Sequence, residues 1–457
     1  MRKGTLAFAG AVLLACVGLV GVHALHRELV PTPQVTAAPS AAAAPWGASG
    51  KQAPEPDAAT LSSTVKERTT AGAGSYKVSV RDVATGQELV DQDAASTAAP
   101  ASSLKLLTGS AALDQLGPDH RFTTRAVQDG DQGITLVGGG DVLLGSGASD
   151  AKATNGHAGL GTLAESTVKA LVQHGTSGDV TVHVDSSLFT DPGLNPEWAA
   201  DLVTSNNITE VQTPALYAGR STADHHSAVV RNPADHALSA YVSALSAAAK
   251  KDGADLSFSA GGHATAGSDA QELASVESAT VLQQLHYMED NSDNYLAEAM
   301  GRLVSVERGG EGSIEGATQA VTAVVKDLGV DVTGLDMKDT SGLAATNRIS
   351  PATLTGMLAV AQSDKAPQLR DLAELLPVSG VSGTLSSRLS GTDTKALIRA
   401  KTGTLADVVS LTGYVTTADG RLLSFSVMAS DLDGNLLGAR NTADAIAAYL
   451  AGCGCGG

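Results

Sequence analysis

The chain has 457 residues, with 48 acidic against 30 basic side chains and a formal net charge of −18. Because a domain usually has about 100–200 residues, this length predicts more than one domain. So acidic a surface repels phosphate backbones, which disfavours nucleic acid as a partner, and three cysteines are too few for a disulfide framework.

The N-terminus predicts export from the cytoplasm. Arg2 and Lys3 precede an uncharged run over residues 4–22 that is just long enough to span the hydrocarbon of a bilayer, and a small-residue cleavage site ends at Ala24. Residues 1–25 are therefore predicted to be either a cleaved signal peptide or a retained membrane anchor. Both alternatives make the body extracytoplasmic, either secreted to the cell-wall space or tethered to the outer face of the cytoplasmic membrane.

Residues 26–58 are rich in Pro, Ala and Ser and show no hydrophobic periodicity, which predicts a disordered linker. Beyond it, alternation of apolar and polar residues predicts strands, and a 3.6-residue period predicts helices. The predicted strands include 76–82, 87–91, 180–185, 397–402, 409–416 and 422–429, and the predicted helices include a stretch after Pro100 and the segments 238–250, 282–304 (broken near Asn291), 354–361 and 436–450. Helices around a terminal antiparallel sheet favour the α+β class.

A Ser-x-x-Lys spacing places a hydroxyl and an amine one helical turn apart, so that a neutral amine can accept the hydroxyl proton. The spacing occurs in four pairs, Ser63/Lys66, Ser102/Lys105, Ser149/Lys152 and Ser166/Lys169. Any one of them, taken alone, is most simply a solvated helix face. Ser102 is the favoured nucleophile, because its pair alone follows a hairpin and opens an apolar helix.

Two further motifs occur downstream of Ser102. Ser-x-Asn is present both in the segment 205–207, which is also consistent with a polar loop, and in the segment 292–294, which interrupts two apolar helical stretches. Lys-Thr-Gly occurs once, at the end of a predicted strand, where the glycine would permit close approach of a ligand backbone. The order Ser-x-x-Lys, Ser-Asp-Asn, Lys-Thr-Gly is the set that serine β-lactamases and penicillin-binding proteins share.

Around these motifs the chain resembles the low-molecular-mass class C penicillin-binding proteins, the D-alanyl-D-alanine carboxypeptidases/endopeptidases. The resemblance covers about residues 60–450 and is carried by the segments 100–108, 292–298, 339–351, 376–388 and 401–404. It implies an α+β fold of the serine β-lactamase/transpeptidase type, an antiparallel sheet flanked by helices, interrupted by a long, mainly β insertion. The implied domains are a penicillin-recognising catalytic domain, residues 59–130 and 275–457, and an inserted region, residues 131–274.

The same resemblance implies hydrolysis of the D-Ala-D-Ala bond of peptidoglycan stem peptides, and by extension of D-Ala cross-links, through an acyl-enzyme on Ser102. It implies inhibition by β-lactams and no metal or organic cofactor. The implied catalytic residues are Ser102, Lys105, Ser292, Asn294 and Lys401, and the implied substrate-binding residues are Thr402, Gly403 and Thr404.

Two other functions compete with this hypothesis. A serine β-lactamase would share the acylation step but would hydrolyse penicillin quickly. A non-catalytic wall protein would bind peptidoglycan without turning it over. The Ser/Lys motifs argue against this alternative, because such a protein needs no activated nucleophile.

Overall fold

The structure is a computed structural model, which describes residues 53–128, 133–191 and 193–453. The predicted N-terminal segment and most of the predicted linker lie outside the described residues. Within the described part of the chain, every helix is too short or too polar to cross a bilayer.

Helices and strands follow the predicted pattern closely. The helices are α1 Ala58–Ala71, α2 Lys105–Leu116, α3 Leu160–Gln173, α4 Asp201–Thr204, α5 Pro233–Asp252, α6 Val281–Asn291, α7 Asn294–Glu307, α8 Ile314–Asp327, α9 Pro351–Ala361, α10 Leu372–Leu375 and α11 Leu436–Gly452. The strands are β1 Ser75–Asp82, β2 Glu88–Gln92, β3 Thr123–Gln128, β4 Gly133–Val137, β5 Gly178–Asp185, β6 Leu256–His263, β7 Gln271–Glu277, β8 Ile398–Leu405, β9 Val408–Thr416 and β10 Leu422–Ser430. Short 3-10 turns lie at Ala101–Leu104, Pro367–Leu369 and Gly383–Leu385.

The first sheet has the strand order β2-β1-β10-β9-β8, and all of its neighbouring strands are antiparallel. Helices α1 and α11 supply apolar side chains to one core with its strands, while α9 packs on the other face, where Tyr414 of β9 donates a hydrogen bond to Leu358 O. Strand β10 is therefore buried on both faces along all but its last residue. Strand β8 forms one edge of this sheet.

The second sheet lies in the predicted insertion and has the order β6-β5-β4-β3-β7. Strands β4, β5 and β6 are parallel to one another, and parallel neighbours need a crossover connection. Helices α3 and α5 provide those crossovers and share a core with the sheet, so the inserted region carries two long helices in addition to its strands. The sheet extends from Thr123 to Glu277, slightly beyond the predicted limits of 131 and 274.

After the second sheet the chain returns to the first part of the molecule through α6 and α7. Thr280 caps α6 in a capping box with Gln283, and Asp293 caps α7 by accepting a hydrogen bond from Leu296 N. Between the two helices Ser292 has a left-handed backbone with φ of 54°, which is the break that the sequence predicted near Asn291. The break turns the side chain of Ser292 toward β8.

Helix α7 carries a buried charge network that supports the loop after α8. Arg302 is fully buried and lies 3.2 Å from Glu298 and 3.2 Å from Asp191, while Glu298 accepts hydrogen bonds from the backbone N–H groups of Thr340 and Ser341. Two segments far apart in sequence, one with Asp191 and one with Thr340 and Ser341, are thereby tied to α7.

We expect Arg302→Ala to lower the free energy of unfolding by about 3–5 kcal/mol, because it leaves the buried carboxylate of Glu298 and the partly buried carboxylate of Asp191 without their cation. Urea unfolding followed by circular dichroism measures the change. Arg308→Ala is the matched control, since Arg308 pairs with Asp327 at the exposed end of the same helix and should cost less than about 1 kcal/mol. Equal losses in the two variants would contradict the importance of the buried network.

Candidate active site

Ser102 lies in the 3-10 turn that opens α2. The preceding Ala101 has φ of 48°, an uncommon conformation for a residue with a Cβ. Neighbouring segments hold this turn in place: Ser410 of β9 donates a hydrogen bond to Pro100 O at 2.7 Å, and its hydroxyl lies 2.8 Å from that of Ser103. The strained backbone is therefore fixed from the sheet side.

Lys105 begins α2 one turn after Ser102, and its side chain is fully buried. Its Nζ lies 3.1 Å from Ser102 Oγ, 2.8 Å from Asn294 Oδ1 and 2.7 Å from Ser341 O. The amide and carbonyl oxygens only accept hydrogen bonds, so they take two of the amine's protons. In the neutral amine, the remaining lone pair then points at the hydroxyl of Ser102.

The other three Ser-x-x-Lys pairs differ from this one in burial. In each of them both the serine and the lysine are exposed: Ser63/Lys66 on α1, Ser149/Lys152 in a loop and Ser166/Lys169 on α3. These pairs therefore have the character of ordinary helix or loop surfaces.

Ser292 and Asn294 face the two lysines from the break between α6 and α7. Lys401 Nζ donates a hydrogen bond to Ser292 Oγ at 2.9 Å, and Asn294 Oδ1 accepts from Lys105 as described above. The amide nitrogen of Asn294 donates to Asn207 O at 3.2 Å, which connects the break to the inserted region. The structure thus brings the predicted serine and asparagine to the same site as Ser102.

Strand β8 supplies the opposite wall of the site. Lys401 is fully buried, and its Nζ also donates a hydrogen bond to Thr402 O at 2.9 Å. On the outer edge of the strand, Ala400 N donates to Pro377 O. Because N–H groups alternate in direction along a strand, those of Thr402 and Thr404 also face away from β9, toward the cleft.

Gly403 packs against the turn that carries Ser102. It is not among the residues that line the cleft. A Cβ at this position would collide with Ser410 Oγ and would lie 2.9 Å from both Ala101 Cβ and Pro100 O. The absent side chain therefore gives the protein's own chain room for this close approach.

The cleft between these elements has a volume of about 300 Å³. Its lining includes the predicted residues Ser102, Ser292, Asn294, Thr402 and Thr404. The inserted region contributes Asn206, Asn207, Arg220 and His225, none of which the sequence singled out as functional.

Two of these added residues occur in patterns that the sequence did contain. Asn206 and Asn207 belong to the Ser-x-Asn segment 205–207, which is a polar loop and also a wall of the cleft. The ring of His225 lies 3.4 Å from Asp293 and is only one-quarter exposed, whereas its neighbour His226 is solvated. Arg220 is buried to 8% exposure and donates hydrogen bonds to Ser227 O and Asn206 O.

Burial lowers the pKa of both lysines. The pKa of Lys105 is lowered to about 8 by burial, which is partly opposed by the carboxylates of Glu289, Asp339, Asp293 and Glu298. Burial and the charge of Lys105 lower the pKa of Lys401 to about 7, against the opposing effect of Glu289. Neutral amine is therefore available near physiological pH, as a base for a hydroxyl requires.

The loop at 339–347 positions the carbonyl of Ser341, which accepts a hydrogen bond from Lys105. Asp339 is fully buried and accepts hydrogen bonds from Gly342 N, Asn347 Nδ2 and Trp198 Nε1. The sequence indicated this loop only as a segment of family resemblance, without a role. Among the described residues, no group of three His, Cys, Asp or Glu side chains is arranged to hold a metal ion.

Comparison with known proteins identifies the family. The sequence profile of the D-Ala-D-Ala carboxypeptidase 3 (S13) family matches residues 58–225 and 222–452. The chain belongs to this family. A carboxypeptidase of Mycobacterium tuberculosis is 35% identical over 386 residues, which cover 82% of this chain and 80% of the relative. Carboxypeptidase DacB of Mycolicibacterium smegmatis is 34% identical over 388 residues, with the same two coverages of 82% and 80%.

Solved structures agree on the fold. Penicillin binding protein 4 of Haemophilus influenzae superposes with a TM-score of 0.65 at 20% identity, over 82% of this chain and 98% of that one. The predicted family, α+β fold class and enzyme class are confirmed: this S13 family member is a serine-type D-Ala-D-Ala peptidase. The roles of the individual site residues stay predictions.

We expect Gly403→Ala to slow reaction with a penicillin by about 10²-fold, because the added Cβ pushes the Ser102 turn away from β8. The acylation rate with a fluorescent penicillin measures this. Gly147→Ala is the control, since a Cβ there meets no atom within 4 Å and the residue is exposed. A folded Gly403→Ala variant with the wild-type rate would contradict the close-packing argument.

Proposed function

We propose that Ser102 is the nucleophile of a DD-peptidase that cleaves the D-Ala-D-Ala bond of peptidoglycan stem peptides. Ser102 Oγ attacks the carbonyl carbon of the penultimate D-Ala, and the C–N bond to the terminal D-Ala breaks. The products are an ester on Ser102 and free D-Ala. Water then hydrolyses the ester and regenerates the hydroxyl. The observation that carries this proposal is the hydrogen bond of 3.1 Å between Ser102 and a buried lysine whose other two protons are held by acceptor oxygens.

Lys105 is the general base in this proposal. Its neutral amine takes the proton of Ser102 as the hydroxyl attacks. The reactive form of the lysine pair carries a single proton, which lies on Lys401. In this form the ammonium of Lys401, 2.9 Å from Ser292, favours donation from the Ser292 hydroxyl to the departing amine. Lys105 thus takes one proton from Ser102, and Ser292 gives one proton to the leaving amine. Transfer through the two lysines and Ser292 then restores the starting protonation of the site.

The remaining residues orient the peptide. Asn294 would hydrogen-bond the amide on the acyl side. Thr402 and Thr404 would bind the terminal carboxylate from the edge of β8, with Lys401 adding positive charge. The hydroxyl of Thr402 donates a hydrogen bond to that of Thr384 at 2.9 Å, which orients the Thr402 side chain at the edge of β8.

The backbone N–H groups of Ser102 and Thr404 would form the oxyanion hole. The outward direction of the Thr404 N–H supports this role, and one such donor is typically worth about 10²–10³ in rate. A β-lactam presents the same carbonyl and carboxylate, so it would acylate Ser102. A Haemophilus influenzae penicillin binding protein 4 structure at 18% identity contains a β-lactam.

The location and the full substrate range are parts of the same proposal. A stem-peptide hydrolase works in the cell-wall space, which agrees with the predicted export segment. Cleavage of cross-links would use the same attack of Ser102 on a D-Ala carbonyl, with a second stem peptide in place of the terminal D-Ala as the leaving amine. Incubation with defined muropeptides distinguishes the two activities: terminal trimming releases free D-Ala, whereas cross-link cleavage converts dimers to monomers.

Ser102→Ala should abolish covalent labelling by a fluorescent penicillin, and Lys105→Ala should reduce it to background, because the first removes the nucleophile and the second its base. Denaturing gels of the labelled protein provide the measurement. Ser63→Ala is the matched control from an equivalent but exposed Ser-x-x-Lys pair and should label fully. Labelling of Ser102→Ala would overturn the proposal, and turnover of penicillin within seconds would favour a β-lactamase instead.

The acylation rate should depend on pH as a bell centred between about 7 and about 8, the pKa values of Lys401 and Lys105. At lower pH both lysines are protonated, so no base is available, and at higher pH both are neutral, so the cation is lost. The two limbs belong to the pair rather than to either lysine. Stopped-flow acylation over this range measures the profile, and a rate that does not change with pH would contradict it.

A further inference from the structure

A carboxylate lies beneath the active site without any assigned role. Glu289 is on α6, one turn before Ser292, and it is fully buried. Neither of its carboxylate oxygens has a hydrogen-bond partner among the described residues. A buried carboxylate without partners is costly, so its presence requires an electrostatic reason.

Glu289 is in contact with the helix that carries Lys105. A Cβ built on Gly109 of α2 would lie 3.4 Å from Glu289 Oε1, and Gly109 is one turn beyond Lys105. The backbone carbonyl of Glu289 accepts a hydrogen bond from Ser292 N, so the residue is also tied to the break that positions Ser292. The carboxylate is therefore enclosed between the two helices that supply the site.

The charges that act on Glu289 come from three elements. Lys105 on α2 and Lys401 on β8 attract it, while Asp290 on its own helix repels it. Burial raises the pKa of Glu289 to about 7, although the charges of Lys401 and Lys105 lower it, and the charge of Asp290 adds a smaller increase. The carboxylates of Asp293, Glu298 and Asp339 also raise the pKa of Lys105. Among the described residues, Glu289 is the only carboxylate with a resolved effect on the pKa of Lys401.

We infer that Glu289 is a positioning residue whose buried carboxylate retains one proton on the Lys105/Lys401 pair, so that one amine is a base while the other stays a cation. This inference rests on the proposed function, in which both states are needed at once. Two amines so deeply buried would otherwise both become neutral as the pH rises, and the carboxylate extends the range in which Lys401 is charged. Glu289 touches neither the cleft nor the reacting atoms, so it acts only through the lysines.

The test is the pH profile of acylation by a fluorescent penicillin in Glu289→Gln and Glu289→Leu, using the full chain. Removal of the negative charge should move the alkaline limb at least about one pH unit lower. In Glu289→Asp, which keeps the charge, the alkaline limb should lie close to its wild-type pH. Glu307→Gln, on the exposed end of α7, is the control and should leave the profile unchanged.

Several results would overturn the inference. An alkaline limb at the wild-type position in a folded Glu289→Gln or Glu289→Leu variant excludes an electrostatic role, even if the rate falls. Failure of both neutral variants to fold also contradicts it, because a carboxylate without hydrogen-bond partners should be dispensable for folding. Failure of the proposed function is distinguishable, because it would already be visible as absent labelling in the wild-type protein.

Discussion

Two amines buried beside one another create the electrostatic constraint on which the site depends. Lys105 and Lys401 are both withdrawn from water, and a buried ammonium is stable only where oxygen atoms replace the lost hydration. The fold provides these oxygens from separate segments, with Asn294 and Ser341 serving Lys105 and Ser292 serving Lys401. A lysine that is buried but solvated by protein oxygens can exchange its proton near neutral pH, which an exposed lysine cannot.

Close backbone packing places the nucleophile against this pair. The turn at Pro100 and Ala101 is held between β8, where Gly403 has no side chain, and the loop at 339–347, where Gly342 lies against the carbonyl of Ala101. The positive φ of Ala101 is maintained by these contacts on both sides. The position of Ser102 is thus a property of the packed structure, and the flexibility of an ordinary surface serine is removed.

The inserted region gives the cleft a wall that the catalytic core does not supply. Residues of the loop between α4 and α5 reach the site, and Asn294 donates a hydrogen bond to one of them, Asn207. Arg220 brings a guanidinium group to the cleft of a protein whose net charge is −18. This wall comes from a loop of the inserted region, whereas the lysines lie on α2 and β8.

The sequence alone predicted all five strands of the first sheet, several helices, the α+β class and the family, because alternation, helical period and three short motifs are local properties of the chain. Most strands of the second sheet, and helices such as α1 and α8, were not predicted individually. The sequence also singled out Ser102 among four equivalent pairs through its helical entry. Only the tertiary structure separated the pairs by burial, assigned Gly403 to chain packing and brought Glu289, Ser341 and Arg220 to the site. Burial and contact between segments far apart in sequence arise only when the whole chain is folded, and no local pattern encodes a pKa or a cleft wall.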